Sequence, residues 1–243
     1  MAMEFIEAID RRRSRRRYLP EPLTQADTDQ LRQVIDKLTA EHDLRIELVV
    51  NNGEAFEGFR RSYGMFNGVR NYLGLIAGKD DFVAAEKLGY CGQIIALTAV
   101  TIGLGTCWVS GSYDRKACSF ELSEGETIHS LLVVGSVAEE DSFKEGVIRS
   151  MIHRKTKSVE EMMTVDSAPP DWFLAGMAAV QKAPSAANRQ PVQFTWQGRV
   201  ASAGVQSLGD GLALDLGIAK ANFELGAGGG NWAWGSPGVF NRS

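Results

Sequence analysis

The feature that most constrains the fold is a long apolar segment in the first half of the chain. Residues 94–102 carry no charge, and only Thr98 and Thr101 interrupt the apolar side chains. A helix of this composition is apolar on nearly every face, so it belongs inside a sizeable core. Gly103 and Gly105 follow and suit a helix end or a close backbone approach. We therefore predict a buried central helix that leads into a strand or tight loop at residues 106–111.

Two interpretations of residues 106–111 are open, because their backbone amides must bond to something. The amides could face a ligand, or the segment could simply follow a core helix that ends in a glycine cap. For this segment taken alone the second interpretation is favoured, since core helices are common in domains of this size. A functional interpretation therefore needs support from the rest of the chain.

Composition excludes several classes of protein. The 243 residues are 44% hydrophobic and 23% charged, which is typical of one large globular domain or two small ones. The net charge of −4 gives no general attraction to nucleic acid or to anionic lipid. Three scattered cysteines and three scattered histidines predict neither a disulfide framework nor a metal site. The acidic N-terminal residues do not form a secretory signal, so we expect a cytoplasmic protein without a membrane segment.

The one strongly basic stretch lies near the N-terminus, where six arginines surround Ser14 between residues 11 and 17. Pro20 and Pro22 close this stretch. Three interpretations are open: a nucleic-acid or localisation patch, a solvated helix end, or a clamp in which guanidinium groups and a hydroxyl hold one phosphate. Composition alone favours the first two.

The remaining chain predicts alternating helices and strands. Hydrophobic periodicity predicts a helix over 24–40, strands over 44–50, 71–76 and 128–137, and a basic turn with a short helix over 152–163. After a proline-containing linker at 164–170, we predict a helix over 171–181, a polar loop at 183–191, a strand over 192–196 and a helix over 211–227.

The order of these elements suggests a degenerate internal duplication. A strand followed by Asn-Gly at 46–53 matches a strand followed by Gln-Gly at 192–198, and a helix, glycines and Trp108 match a helix, glycines and Trp232. We therefore predict two related halves, residues 1–163 and a shortened second half at 171–243.

Four segments together resemble the FMN-dependent nitroreductase family: AIDRRRSRRRY, the apolar helix with its glycine-rich continuation, HRKTKSVEEMM and APSAANRQP. The family's Arg-Arg-Ser-x-Arg-x-aromatic signature is met by Arg12, Arg13, Ser14, Arg16 and Tyr18. Its Pro-Ser-x-x-Asn-x-Gln-Pro loop is met by Pro184, Ser185, Asn188, Gln190 and Pro191. The resemblance implies an α+β fold with a central mixed or antiparallel sheet surrounded by helices.

Two departures from the family pattern have consequences. The Pro-Ser loop follows the arginine signature in the first half of ordinary members, whereas here it comes after the basic turn, and Val192 replaces the usual tryptophan. Family members bind flavin between two protomers. A chain with the arginines in one half and the loop in the other therefore looks like a single-chain pseudo-dimer with one flavin, expected as a monomer with a homodimer as the alternative.

The resemblance implies an FMN site with no catalytic side chain, because the flavin carries the redox chemistry. Ser14 and the loop residues would bond to the ribityl chain and pyrimidine edge, and the backbone of 107–111 would face the flavin ring. Five basic side chains would neutralise the phosphate, namely Arg12, Arg13, Arg16, Arg154 and Lys155. The full expected set is Arg12, Arg13, Ser14, Arg16, Cys107, Trp108, Val109, Ser110, Gly111, Arg154, Lys155, Pro184, Ser185, Asn188 and Gln190.

The function implied is an oxidoreductase that passes a hydride from NADH or NADPH through FMN to a small electron-poor acceptor such as a nitroaromatic or a quinone. Two alternatives remain open. The protein could bind flavin without nitroreductase turnover, or it could be a nucleic-acid-binding module that uses the arginine run, which the acidic remainder of the chain disfavours.

Overall fold

The computed structural model describes residues 3–57, 65–138, 155–209 and 211–243. Within these ranges, five α-helices and nine β-strands give an α+β protein in which the strands form two separate sheets. The chain divides into two compact units. The first contains Arg11–Lys79 and Ile95–Ile152, and the second contains Phe5–Asp10, Asp80–Ile94 and His153–Ser243.

The helices match the periodic segments of the sequence. Thr24 caps the second helix through its side chain, which accepts from the backbone N–H of Asp27, and Asp27 returns a bond to the backbone of Thr24. None of the helices in the described ranges combines the length and apolarity that a membrane crossing requires. The five helices are α1 Phe5–Arg11, α2 Gln25–His42, α3 Phe82–Thr101, α4 Asp171–Gln181 and α5 Leu212–Gly226.

The first unit contains a four-stranded antiparallel sheet in the order β1-β2-β4-β3. Its strands are β1 Arg45–Val49, β2 Tyr72–Gly78, β3 Gly105–Val109 and β4 Glu126–Gly135. Strand β4 is buried on both faces from Ser130 to Gly135. An aromatic cluster that includes Phe56, Phe66 and Tyr72 packs against the sheet, so these residues form core rather than a pocket wall.

The second unit contains a five-stranded mixed sheet in the order β5-β6-β7-β9-β8. Only β5 and β6 are parallel. Its core is rich in aromatic side chains, with Phe194 and Phe223 stacked at a centroid distance of 5.0 Å. The strands are β5 Met163–Val165, β6 Gln193–Gln197, β7 Val200–Gly204, β8 Asn231–Trp232 and β9 Gly238–Asn241.

The two units repeat one order of elements. The first runs α2, β1, β2, α3, β3, β4, and its sheet order is β1-β2-β4-β3. The second runs α4, β6, β7, α5, β8, β9, and the matching strands have the order β6-β7-β9-β8. In each, the third strand carries a tryptophan, Trp108 or Trp232, and lies at an edge. This shared order supports the predicted duplication.

Helix α3 is buried as the sequence predicts, and Ile95–Ala99 are all buried. In the second unit α3 lies against α5 with almost no space between the two backbones. A Cβ at Gly217 would lie 1.8 Å from the Glu86 carbonyl oxygen, and one at Gly89 would lie 2.1 Å from the Leu214 carbonyl oxygen. Only glycine permits this approach.

A fully buried ion pair lies where these helices meet. Lys220 of α5 bonds to the Glu86 carboxylate of α3, and both side chains have no exposed surface. Lys220 also donates to the carbonyl oxygens of Ala233 at 2.9 Å and Gly235 at 3.1 Å, while the Gly235 N–H donates to Glu86 at 2.7 Å. Burial shifts each pKa toward the neutral form, upward for Glu86 and downward for Lys220, and the partner's charge opposes each shift.

Several details differ from the sequence-based expectation. One central sheet was predicted, but the strands form two sheets because each unit has its own core. Strands β7, β8 and β9 were not predicted, since small polar residues and glycines mask their alternation. The short helix expected before residue 163 is a single 3-10 turn over Glu160–Met162, and the first part of that basic segment lies outside the described residues.

Candidate functional site

The arginine stretch continues from α1 as an extended segment along the open edge of the first sheet. Arg15 donates its backbone N–H to the Thr106 carbonyl oxygen at 2.9 Å, and Ser14 forms a bridge with Thr106. Further on, Asn67 exchanges backbone bonds of 2.9 Å with Arg16 and Tyr18. The segment thus satisfies part of the free edge of β3, as an added strand would.

A cleft lies between this segment and the end of α3. Its volume is about 220 Å³. Arg15 spans one side of it and donates from Nη1 to the Ala138 carbonyl oxygen at 3.0 Å. The lining residues are Arg11, Arg12, Arg13, Arg15, Val100, Leu104, Gly105, Thr106 and Val137.

Two residues that line this cleft each carry a buried polar atom that has no hydrogen-bond partner within the described part of the chain. The atoms are Nη1 of Arg12 and Oγ1 of Thr106. Burial lowers the pKa of Arg12 to about 10, which leaves the guanidinium charged at neutral pH. A buried donor of a charged group is costly when it has no partner, and buried polar groups in native proteins are nearly always bonded. The pair therefore indicates an anion with acceptor oxygens as the natural occupant.

Gly105 allows two residues that line the cleft to pack closely against the start of β3. A Cβ at this position would lie 2.4 Å from Cγ1 of Val137 and 2.9 Å from Cγ of Arg15. Both neighbours line the cleft, so a side chain here would displace them. Gly105 therefore permits a close approach of neighbouring side chains, which is one of the roles that the sequence suggested. Gly103 ends the helix with a positive φ of 84°.

The donor set fits a phosphate group. Arginine forks bind phosphate through paired charge-assisted bonds, and a threonine hydroxyl adds a neutral donor. The phosphate monoester of FMN carries close to two negative charges at neutral pH. The cleft can therefore hold that phosphate through Arg12 and Thr106, with the other arginines adding positive charge.

The structure brings together only part of the expected first-half site. Arg12 and Arg13 line the cleft, whereas Ser14 and Arg16 are not among its lining residues. Arg16 is 9% exposed, and its Nη1 lies 3.4 Å from the Ser14 carbonyl oxygen. Arg15 occupies the cleft instead.

Residues 107–111 lie at the edge strand and just beyond it. Cys107 and Val109 point into the core of the first unit, while Trp108 is partly exposed. Ser110 and Gly111 follow the end of β3 and are exposed. A Cβ at Gly111 would meet no atom within 4 Å.

The expected basic turn is described only in part. Lys155 is exposed, and Arg154 lies outside the described residues.

The Pro-Ser loop belongs to the second unit and uses much of its polar capacity internally. The Gln190 side chain accepts from the Lys157 N–H at 2.8 Å and donates to the Gln181 carbonyl oxygen at 3.0 Å. Ser185 Oγ accepts from the Gln190 N–H at 2.9 Å. These contacts shape the loop. Pro184 lines a small cavity below it, and Val192, at the place of the family tryptophan, is buried in the aromatic core.

Sequence reasoning missed Arg15, Thr106 and Asp215, which the structure places at these two sites. Arg15 lay inside the recognised stretch, but the family signature singles out Arg16. Asp215 is 4% exposed beneath the Pro-Ser loop. An aspartate among the apolar residues of the first turns of α5 was the available signal, because aspartate is rarely buried without a partner.

Comparisons with known proteins identify the family and the fold of this chain. The family model described as "Putative TM nitroreductase" matches residues 4–227. A solved structure described as a "putative nitroreductase" from Thermotoga maritima superposes with a TM-score of 0.67 at 17% identity, over 99% of this chain and 93% of that one. Its likeness shows the fold.

An FMN-dependent nitroreductase from Clostridium difficile gives a TM-score of 0.46 at 17% identity, over 62% of this chain and 98% of that one. No curated protein matched significantly. The α+β fold of nitroreductase type is confirmed by the Thermotoga structure. Because the family model spans nearly the whole sequence, the chain belongs to the nitroreductase family that this model describes.

Proposed function

We propose that this protein is an FMN-dependent oxidoreductase of nitroreductase type that uses NADH or NADPH to reduce a small electron-poor acceptor, such as a nitroaromatic or a quinone. The observation that carries the proposal is an arginine-lined cleft in which two lining residues, Arg12 and Thr106, each carry a buried polar side-chain atom without a partner. Family membership and the relatives described as FMN-dependent support the choice of FMN.

In this proposal the protein binds and orients, and the cofactor supplies the chemistry. When bound, FMN provides hydride transfer between the nicotinamide and the acceptor. Arg12 and Thr106 hold the phosphate, and Arg13 and Arg15 add charge beside it. The exposed backbone at Ser110 and Gly111 would direct N–H groups at the flavin ring, where preorganised donors stabilise negative charge. The roles of Ser185, Asn188 and Gln190 stay predictions from the family resemblance.

The burial of two of the six arginines weakens the nucleic-acid alternative, although Arg11, Arg13 and Arg17 are exposed. Arg15 is 8% exposed and Arg16 is 9% exposed, and both belong to a segment hydrogen-bonded to neighbouring strands. A phosphate-tracking surface needs accessible cations, which these two do not provide. Flavin binding without turnover remains the second candidate function. The observation that favours it is Val192, which stands where the family has a tryptophan. A cytoplasmic location and a monomer stay predictions.

Anaerobic reduction of the FMN-loaded protein by NADPH, repeated with NADH, tests the proposal. We expect the flavin absorption band to bleach in wild type and in Ser110→Ala. Gly111→Val should bleach far more slowly. The substitution keeps the backbone N–H, but the added side chain would displace the flavin ring from it, and losing one preorganised donor costs about 2.7 to 4 kcal/mol at well-studied oxyanion sites.

The Gly111→Val comparison is informative because a Cβ at this position meets no protein atom, so the substitution should leave folding intact. Ser110→Ala is the matched control, since it removes only a hydroxyl 3.4 Å from Ser130. If Gly111→Val is reduced at the wild-type rate, residues 106–111 are a strand and turn that follow the helix and take no part in the chemistry. A flavin that stays oxidised with both nucleotides in wild type would favour the binding protein without turnover.

A further inference from the structure

The Pro-Ser loop is held in a conformation that its residues do not favour. Ala187, Asn188 and Gln190 have φ values of 50°, 50° and 46°, and all three lie in the left-handed region. Non-glycine residues adopt this region at a cost in energy, and they keep it only where surrounding contacts enforce it. Three such residues within four positions therefore require anchors.

One anchor comes from helix α5. The Asp215 carboxylate accepts the Ala186 N–H through both oxygens, at 3.2 and 3.3 Å. Asp215 is 4% exposed and lies on the small cavity that Pro184, Ser185 and Gln190 also line. The helix that carries it is locked against α3 by the glycine contacts, so the carboxylate occupies a fixed position below the loop.

We propose that Asp215 is a positioning residue that holds the Pro-Ser loop in its strained conformation by accepting the Ala186 N–H from a rigid helix. A carboxylate bonds to an N–H about twice as strongly as a neutral acceptor does. The ionised form therefore fixes the loop best. Protonated Asp215 retains an acceptor oxygen but loses the charge.

This anchor responds to pH near neutrality. Burial raises the pKa of Asp215 to about 6, and the Ala186 N–H and the charge of Arg189 oppose the rise. Arg189 is the charged group that the loop contributes. Lys157 bonds to Gln190, and Glu86 and Lys220 on the packed helices neutralise each other.

Protonation of Asp215 has opposite effects on the stability of the whole protein and on the order of the loop. Because the folded pKa lies above the ordinary value of 3.8, the folded state binds the extra proton between these two pH values. Stability from this group therefore rises as the pH falls through 6, while the loop loses its charged anchor. A looser loop in a fold that protonation of Asp215 stabilises is the signature expected of a positioning residue.

Amide hydrogen exchange in the flavin-free protein tests the proposal, with rates corrected for the intrinsic effect of pH. We expect the protection of Ala186 and Gln190 in wild type to fall below pH 6. In Asp215→Asn it should be lower at pH 7 and independent of pH. In Asp215→Leu it should fall by roughly tenfold, as loss of one charge-assisted bond implies.

Asp166→Asn is the matched control, because Asp166 accepts the Gly198 N–H at 2.9 Å in another turn. It should leave exchange in the Pro-Ser loop unchanged. Wild-type protection of Ala186 in Asp215→Leu, or the same pH response in Asp215→Asn as in wild type, would overturn the proposal.

The link to flavin binding rests on the proposed function and has its own measurement. If the loop contributes to FMN binding, FMN affinity falls more steeply below pH 6 in wild type than in Asp215→Asn, because protonation of the FMN phosphate weakens binding in both proteins alike. An altered loop with unaltered FMN affinity would leave Asp215 as the anchor and remove the loop from the flavin site. The exchange result thus stands or falls independently of the cofactor.

Discussion

Lys220→Met should destabilise the protein by about 3 to 5 kcal/mol, the cost of breaking a buried ion pair by removing one partner. The Glu86 carboxylate has no exposed surface. After the substitution, the hydrogen bond that it keeps within the described residues comes from the Gly235 N–H. The substitution also removes a donor from the carbonyl oxygens of Ala233 and Gly235. Chemical denaturation at pH 7 measures the loss.

The matched control for this experiment is a second lysine pair in the same unit. Lys182 bonds to Asp10, but their side chains are 48% and 53% exposed. Exposed pairs contribute about 0 to 1 kcal/mol, so Lys182→Met should change little. Adding Glu86→Leu to Lys220→Met should recover part of the stability, because no buried charge then remains. Equal effects of the two lysine substitutions would contradict this account of the α3 and α5 contact.

Arg12→Met should weaken FMN binding by roughly tenfold to a hundredfold, since a hydrogen bond to a charged group contributes about 1.5 to 3 kcal/mol. Without ligand, the same variant should be at least as stable as wild type, because it removes a buried charge with an unpartnered Nη1. Isothermal titration with FMN measures the first effect, and thermal unfolding of the flavin-free protein measures the second.

Arg16→Met is the comparison that separates the structure from the family signature. The signature assigns Arg16 to the phosphate, but its side chain is not part of the cleft and lies near the Ser14 carbonyl oxygen. The variant should lose stability rather than affinity. Loss of FMN affinity in Arg16→Met with none in Arg12→Met would mean that the cleft is not the phosphate site.

The elements that the sequence predicted best are those with a strong local pattern. Helix α3 is apolar on nearly every face, and α4 has a regular stripe that starts at Asp171, so both helices lie where predicted. Strands β7, β8 and β9 are short and rich in small residues, and their pairing depends on contacts that are distant in sequence. Local periodicity does not encode such pairing.

The residues of the candidate site also divide into those that a local pattern reveals and those that only distant contacts bring together. The arginine stretch was visible in the sequence, but which guanidinium groups line the cleft depends on how an extended segment lies along β3. The Glu86 and Lys220 pair joins residues 134 positions apart, and Asp215 reaches a loop 29 positions away. All three positions are charged residues in largely apolar helices, and only the fold supplies their partners.

The central claim is that the arginine cleft holds the phosphate of FMN, and the most direct test compares FMN with riboflavin, which lacks that phosphate. Titration of the flavin-free wild-type protein with each should show FMN binding at least roughly tenfold more tightly. In Arg12→Met the preference should shrink toward equality, while riboflavin affinity stays near the wild-type value. Equal affinities for FMN and riboflavin in wild type, or an undiminished preference in Arg12→Met, would contradict the account.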